Sequence, residues 1–328
     1  MSSVLRTALF TFSLTLIGLI GRVYAEPQIQ YFGLKTPMRF DHQRFNDSRE
    51  VKASRYQMQL SADVEVSFTG NRERGLQLAT LIGSGDSFTS QWSTLYDHES
   101  AQQSPLELSM RQLYLHYLGD IGRFSAGVIP PVKEFVSNTS MDSDGWVRGV
   151  RGVIYVGKQG ELEGVTGAVD HLNNPSAFQL PSKWNYHELE WTQRWIKSLR
   201  TELGVMILRR AHITRGELRY GRSGWWGARY ELSGELLYDF KAHRYAYDAM
   251  LEIKKNNHRM RFEYSLIDER FGLLGRLVND YFSLGSVKMV ALDGPLPWGR
   301  LKWFTRVYHS ERVSRGMLGL SYTLQLTR

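Results

Sequence analysis

The sequence predicts an all-β protein, a transmembrane antiparallel up-and-down β-barrel of about 16 strands, with 14 as the alternative count. Three observations predict it. Residues 55–69 alternate without a break: Tyr56, Met58, Leu60, Ala62, Val64, Val66 and Phe68 are apolar, and every residue between them is polar. Side chains of a strand point to opposite faces in turn, so this stretch has one oily and one wet face. At fifteen residues it is far longer than the usual soluble strand of about 5 to 6 and covers the roughly 9 to 11 that a tilted strand needs to cross a bilayer. The last segment repeats the pattern, with Leu318, Leu320, Tyr322, Leu324 and Leu326 against Gly319, Ser321, Thr323, Gln325 and Thr327. Such strands at both ends of a chain suit a closed sheet, because lipid tolerates no unpaired edge. The third observation is an apolar run at 7–21, after which no apolar stretch approaches a membrane-spanning helix.

That first run follows Arg6 and precedes Arg22, Val23, Tyr24 and Ala25, the form of a secretory leader with cleavage expected after Ala25. Residues 26–328 are then one barrel domain. A first strand is expected near 29–34, followed by the strand at 55–69, a turn at 70–74, and a strand at 75–83. A long polar loop spans 84–105. Strands at 106–118 and 123–129 meet at Gly119 and Asp120, and those at 146–156 and 161–172 meet at the Gly157 to Gly160 turn. Strands at 186–196 and 200–212 follow, then a loop to Gly224.

Residues 225–240 provide a dimensional test. Trp226, Tyr230, Leu232, Leu236 and Tyr238 share one face, opposite Arg229, Glu231, Glu235 and Asp239. The twelve residues from Trp226 to Tyr238 span about 40 Å of strand, or about 28 Å across a membrane at a tilt of about 45°, close to the ~25 Å apolar band between aromatic girdles. Further alternation runs through 245–254, 259–266 and 301–307. The expected facing is apolar out and charged in, since each Arg or Lys in mid-membrane lipid costs roughly 2–4 kcal/mol. Placing both termini on the short-turn side requires an even count. One more strand, at 216–221 or within 268–280, brings it to 16.

The 41 basic and 33 acidic residues give +8 at pH 7, and loss of Arg6 and Arg22 with the leader leaves 39 against 33, or +6. In an exported chain with its charges scattered along strands, nucleic acid is not the expected partner. The chain has no cysteine, which excludes disulfides, zinc-thiolate sites and thiol nucleophiles. No metal and no cofactor is expected. The candidate pore-lining residues are Arg148, Arg151, Arg194, Arg259, Arg261, Lys302 and Arg306, with Asp63, Glu65, Glu190, Glu235, Asp248, Glu252 and Glu263. Charges of both signs around a water-filled lumen select solutes by size and charge. Loop 84–105 offers Asp86, Asp97 and Glu99 as the acidic side of a constriction if it folds inward; length alone suggests that, and an exposed surface loop is the competing reading.

Several short runs resemble bacterial outer-membrane porins: Gly75, Leu76, Gln77, Leu78, Ala79, Thr80, then Gly83, Ser84, Gly85; Arg111 to Leu115; Phe124, Ser125, Ala126, Gly127; and Gly145 to Gly149. The resemblance covers residues 50–160 and, beyond them, the barrel pattern only. It implies passive diffusion of small hydrophilic solutes or ions through a Gram-negative outer membrane, with membrane lipid around the wall and commonly a homotrimer. One departure is the ending Leu326, Thr327, Arg328, where such barrels usually carry an aromatic residue. Two alternatives stay open. One is a barrel hydrolase acting on lipid or peptide, although neither a His-x-x-x-His nor a Gly-x-Ser-x-Gly motif occurs. The other is a structural or adhesive barrel with a plugged lumen.

Overall fold

A computed structural model describes residues 27–45, 52–69, 74–99, 106–131, 141, 143–179, 183–268, 271, 277 and 285–327. The expected leader and most of 268–280 lie outside these residues. The strands are β1 (Gln28–Phe45), β2 (Lys52–Met58), β3 (Ser61–Ser67), β4 (Gly75–Ser84), β5 (Ser93–Asp97), β6 (Leu108–Gly119), β7 (Gly122–Ile129), β8 (Val147–Val156) and β9 (Gly160–Ala168). They continue as β10 (Tyr186–Ile196), β11 (Leu199–Leu208), β12 (Ala211–Ser223), β13 (Arg229–Asp239), β14 (Arg244–Lys255), β15 (His258–Ile267), β16 (Gly285–Pro295), β17 (Leu301–Ser310) and β18 (Val313–Thr327).

Two pairs of these segments are halves of single wall strands, so the sheet is a closed antiparallel barrel of 16 strands. β2 and β3 both pair with β1, separated at Gln59 and Leu60. The break lies beside Pro37, which has no N–H for the ladder; the Gln59 N–H donates to the Pro37 carbonyl at 2.9 Å, and the Leu60 N–H to Ser84 Oγ at 2.9 Å. β4 pairs with β3 and β5 with β2, so residues 85–92 are an excursion from one strand. Closure is made by β1 and β18, in register from Tyr31 opposite Thr327 to Phe45 opposite Val313.

The strand missing from the even count is β12. The segment expected as one strand at 200–212 turns at Arg209 and Arg210, and 211–223 returns beside it from Leu208 opposite Ala211 to Leu199 opposite Tyr220. The expected start of the next strand also moves. Residues Trp225–Gly227 form a 3-10 turn with Trp226 at φ 62°, and β13 begins at Arg229. The aromatic span on this strand therefore runs from Tyr230 to Phe240, about 33 Å of chain and about 23 Å across the bilayer at a tilt of about 45°.

Burial is inverted relative to a soluble protein. Leu203 and Leu318 are each 62% exposed, whereas Glu252 is 2% exposed and Ser265 0%. One end of the barrel carries short connections, such as those at 120–121, 157–159, 197–198 and 256–257; the other carries the 17-residue connections 130–146, 169–185 and 268–284. The two ends differ as the two ends of a membrane barrel do, and by that asymmetry the end with the long connections is the outward-facing one.

Candidate channel lumen

Carboxylates crowd one arc of the inner wall. Glu202, Glu217, Glu235 and Asp248 are successive cross-strand partners on β11, β12, β13 and β14, each nearly fully buried. Like charges directly opposite one another destabilise a sheet, so the row needs cations between its members. Arg215 on β12 supplies the central one: its guanidinium lies 3.6 Å from Glu190, 3.3 Å from Glu202 and 3.2 Å from Glu217, and it also pairs with Glu235. Arg219 pairs with Glu217, and Arg200 with Glu202 at 3.0 Å. Farther along, Glu252 is shared by Arg261 at 3.1 Å, Arg259 at 3.6 Å and Lys254.

Cations lead on the arc formed by β17, β18, β1 and β2. Arg315 grips Asp41 with two parallel bonds, Nε to Oδ1 at 2.8 Å and Nη2 to Oδ2 at 2.7 Å, across the closing seam. Arg39 donates to Gln57 at 2.8 Å, and its guanidinium lies 3.9 Å from the centre of the Trp92 ring. Arg55 pairs with Asp97 at 2.8 Å.

The outward-facing end is lined differently. There each of β9 to β15 turns an apolar side chain inward, namely Val165, Tyr186, Leu208, Ile213, Leu237, Ala246 and Ile267, and these pack with Phe88, Trp146, Phe271 and Leu277 from the connections. The excursion 85–92 therefore folds into the barrel. Phe88 is 1% exposed, stands 5.0 Å from the Trp146 ring, and donates its N–H to the Leu172 carbonyl at 2.7 Å. Arg111 on β6 holds it there. It is wholly buried, and its guanidinium donates to the carbonyls of Ser87 at 2.6 Å, Gly85 at 3.2 Å and Asp144 at 3.0 Å. A neighbouring cavity of about 470 Å³ is bounded by Asp86, Trp92, Glu107 and Asn173.

No family model matches the chain, and no curated protein matches it. Solved structures do. The chain aligns with Pseudomonas aeruginosa OccK3 (OpdO) at TM-score 0.56 and 13% identity, over 95% of this chain and 99% of that one. These neighbours are outer-membrane porins with 16-stranded barrels. The chain has the porin fold. P. aeruginosa OpdQ aligns at TM-score 0.58 and 11% identity, covering 90% and 98% of the two chains, and Acinetobacter baumannii OccAB4 at 0.57 and 11%, covering 92% and 99%. P. aeruginosa OpdK, solved with vanillate, aligns at 0.55 and 12% over 90% and 98%.

Within this porin fold the expected site residues separate into three groups. Glu190, Glu235, Asp248, Glu252, Glu263, Arg259 and Arg261 meet on the acidic arc; Glu263 lies 4.0 Å from Arg261, and Arg259 also pairs with Asp293 at 2.7 Å. Asp63 and Glu65 are half-buried on β3, and Arg306 and Lys302 lie on β17, Arg306 with its guanidinium 5.8 Å from the Phe304 ring and Lys302 exposed. Arg148, Arg151 and Arg194 belong to neither arc. Arg148 is committed to the 169–185 connection, pairing with Asp170 and donating to the Ser176 carbonyl at 3.2 Å. Arg151 pairs with Glu163 at 2.8 Å and donates to the carbonyls of Pro130 and Pro131. Arg194 is exposed at the bulged end of β10.

Of the three residues proposed for a constricting loop, Asp86 alone lies on the inward segment. Asp97 is part of the wall, and Glu99 sits in the turn after it. The Ser54 backbone N–H donates to Glu99 at 2.5 Å and holds its carboxyl below the ordinary glutamate range. Sequence reasoning missed Arg215, Glu217 and Arg219 as lumen residues because 216–221 is one of two candidate places for the extra strand and no facing is assigned to it. The signal was present, since the odd positions Arg215, Glu217 and Arg219 alternate with Thr214, Gly216, Leu218 and Tyr220.

Proposed function

We propose that this protein is an outer-membrane channel for passive diffusion of small hydrophilic solutes or ions. One observation carries the reading: a closed 16-strand wall is apolar outside and lined inside by a carboxylate-rich arc facing a cation-rich one. Barrels of this size enclose an aqueous path, and fixed charges along it select by sign. Residence in a Gram-negative outer membrane, export by the leader and trimer formation belong to the same proposal. The test is planar-bilayer recording of the purified protein, with reversal potential in a salt gradient. Stable open steps are expected. Double neutralisation, Arg259→Gln with Arg261→Gln, is expected to shift selectivity toward cations; an unchanged reversal potential removes both from the conducting path.

The apolar layer around Phe88 and Trp146 favours a second reading, a lumen closed by its own connections. Arg111→Ala separates the two. Releasing residues 85–92 raises conductance and open-state noise if they narrow a channel, whereas a barrel silent in both forms is plugged by more than this segment. The hydrolase reading is supported less well. His42 and Ser54, His116 and Ser125, and His309 and Ser314 lie within 3.0 Å of one another, yet each is a direct cross-strand or hairpin pair. Among the described residues, no carboxylate is bonded to the second ring nitrogen of these histidines.

A further inference from the structure

The outer face of β12 carries Leu218 and Tyr220 in its lower half and then drops to Gly216 and Thr214, with His212 at the outward-facing end. The neighbours of the two small residues are large: Val205 and Leu203 on β11, and Tyr238 and Leu236 on β13. The result is a furrow running down the lipid-facing wall, opening into a cavity of about 410 Å³ beside Leu189, Val205, Ile207 and Phe240. Leu189 and Val205 are about half exposed there, so apolar surface continues along the walls.

At the outward-facing mouth of the furrow the chemistry changes. Arg209 and Arg210 form the turn between β11 and β12, Lys241 and His243 lie in the turn between β13 and β14, and all four are exposed. Among the described residues, Arg209, Arg210 and Lys241 form no ion pair. Asp239, which ends β13, is turned inward at 4% exposure, and its carboxylate accepts the backbone N–H of Lys241 at 2.9 Å and of Ala242 at 3.2 Å. It is spent on the turn and does not neutralise the rim.

We infer that this furrow binds one acyl chain of a phosphorylated glycolipid of the outer leaflet, with Arg209, Arg210 and Lys241 on its phosphate. The site lies in the membrane-facing wall, where acyl chains are the solvent, and at the level where anionic headgroups begin. An apolar slot beneath a cluster of cations matches an amphiphile of that chemistry, the cations at the headgroup and the slot at the chain. A second copy of this chain is a poorer occupant, because it would bring another cationic rim against the first.

Native mass spectrometry of the full barrel in detergent tests this, with a bisphosphorylated, acylated glucosamine disaccharide as probe. Its dephosphorylated form and phosphatidylglycerol are the comparison lipids. The triple variant Arg209→Gln, Arg210→Gln, Lys241→Gln is expected to weaken binding by about a hundredfold, and Lys158→Gln with Arg300→Gln, on the opposite rim, to leave it unchanged. Gly216→Leu fills the furrow, and the space beside Leu203 admits its Cβ at ordinary contact distance; it is expected to displace the lipid while single-channel conductance stays the same. Equal binding by the triple variant and wild type overturns the inference, as does equal retention of the dephosphorylated lipid or of phosphatidylglycerol. A change of oligomeric state in Gly216→Leu without loss of lipid assigns the furrow to a second copy and also overturns it. Conductance is recorded in parallel, so loss of lipid binding and loss of channel activity are read separately.

Discussion

A single guanidinium decides the balance of the acidic arc. Arg215 touches Glu190, Glu202, Glu217 and Glu235, so Arg215→Gln leaves four buried carboxylates to Arg219, Arg200 and the lumen counter-ions. The expected outcome is stronger cation selectivity, read as a shifted reversal potential in a potassium chloride gradient, together with reduced thermal stability. Asp41 matters for the opposite reason. Its bidentate pair with Arg315 is buried, with Asp41 side-chain exposure of 0%, and removing one partner of such a pair costs roughly 3–5 kcal/mol by stranding the other charge. Asp41→Ala is therefore expected to lower the temperature at which the folded band disappears in gel-mobility assays. Arg315→Lys, which keeps the charge and loses the fork, is expected to fall between it and wild type.

At the scale of the element, what the sequence reveals depends on whether a strand has one environment on each face. Residues 55–69 and 318–327 do, and their alternation marks the wall strand made of β2 and β3, though not its break at Gln59 and Leu60, and the C-terminal part of β18. β8 does not. At Trp146, Val147 and Arg148 both faces are covered, one by the apolar layer and the other by the 169–185 connection, so no period survives. β12 is legible only in part: 216–221 is a candidate for the extra strand, yet its bounds are obscured because the outward Gly216 and the inward arginines Arg215 and Arg219 each look like loop chemistry. The inward path of 85–92 had no local signal at all, since Phe88 and Gln91 are buried by Trp146, Arg111 and Gln59 from segments distant in sequence. One element carries a glycine constraint that can be tested. Gly127 on β7 has φ +131°, and a Cβ there would stand 2.5 Å from the Leu113 carbonyl oxygen of β6. Gly127→Val is expected to break the β6–β7 ladder and reduce the yield of membrane-inserted barrel, measured by protease resistance in outer-membrane fractions.

For the molecule as a whole, closure is the property on which lumen, girdle and furrow all rest, and it can be probed covalently. Met38 and Leu320 are directly opposite across β1 and β18. Cross-strand Cα separations of about 4.5–5.5 Å fall within the range a disulfide accepts. The chain contains no cysteine, so Met38→Cys with Leu320→Cys gives one unambiguous cross-link. Oxidation is expected to produce a looped species of altered mobility after denaturation, and its absence argues that the wall is open.

The seam also governs how the protein is made. The strand that emerges first from the ribosome is a lateral neighbour of the strand that emerges last, and Asp41 waits for an arginine 274 residues away. Contacts of such sequence separation form slowly. Until that contact forms, the unclosed polypeptide holds bare hydrogen-bonding edges and sticky leucines together, the combination that drives misassociation. A factor that shields those edges until the final hairpin arrives is therefore expected to raise the yield of closed barrel in refolding assays.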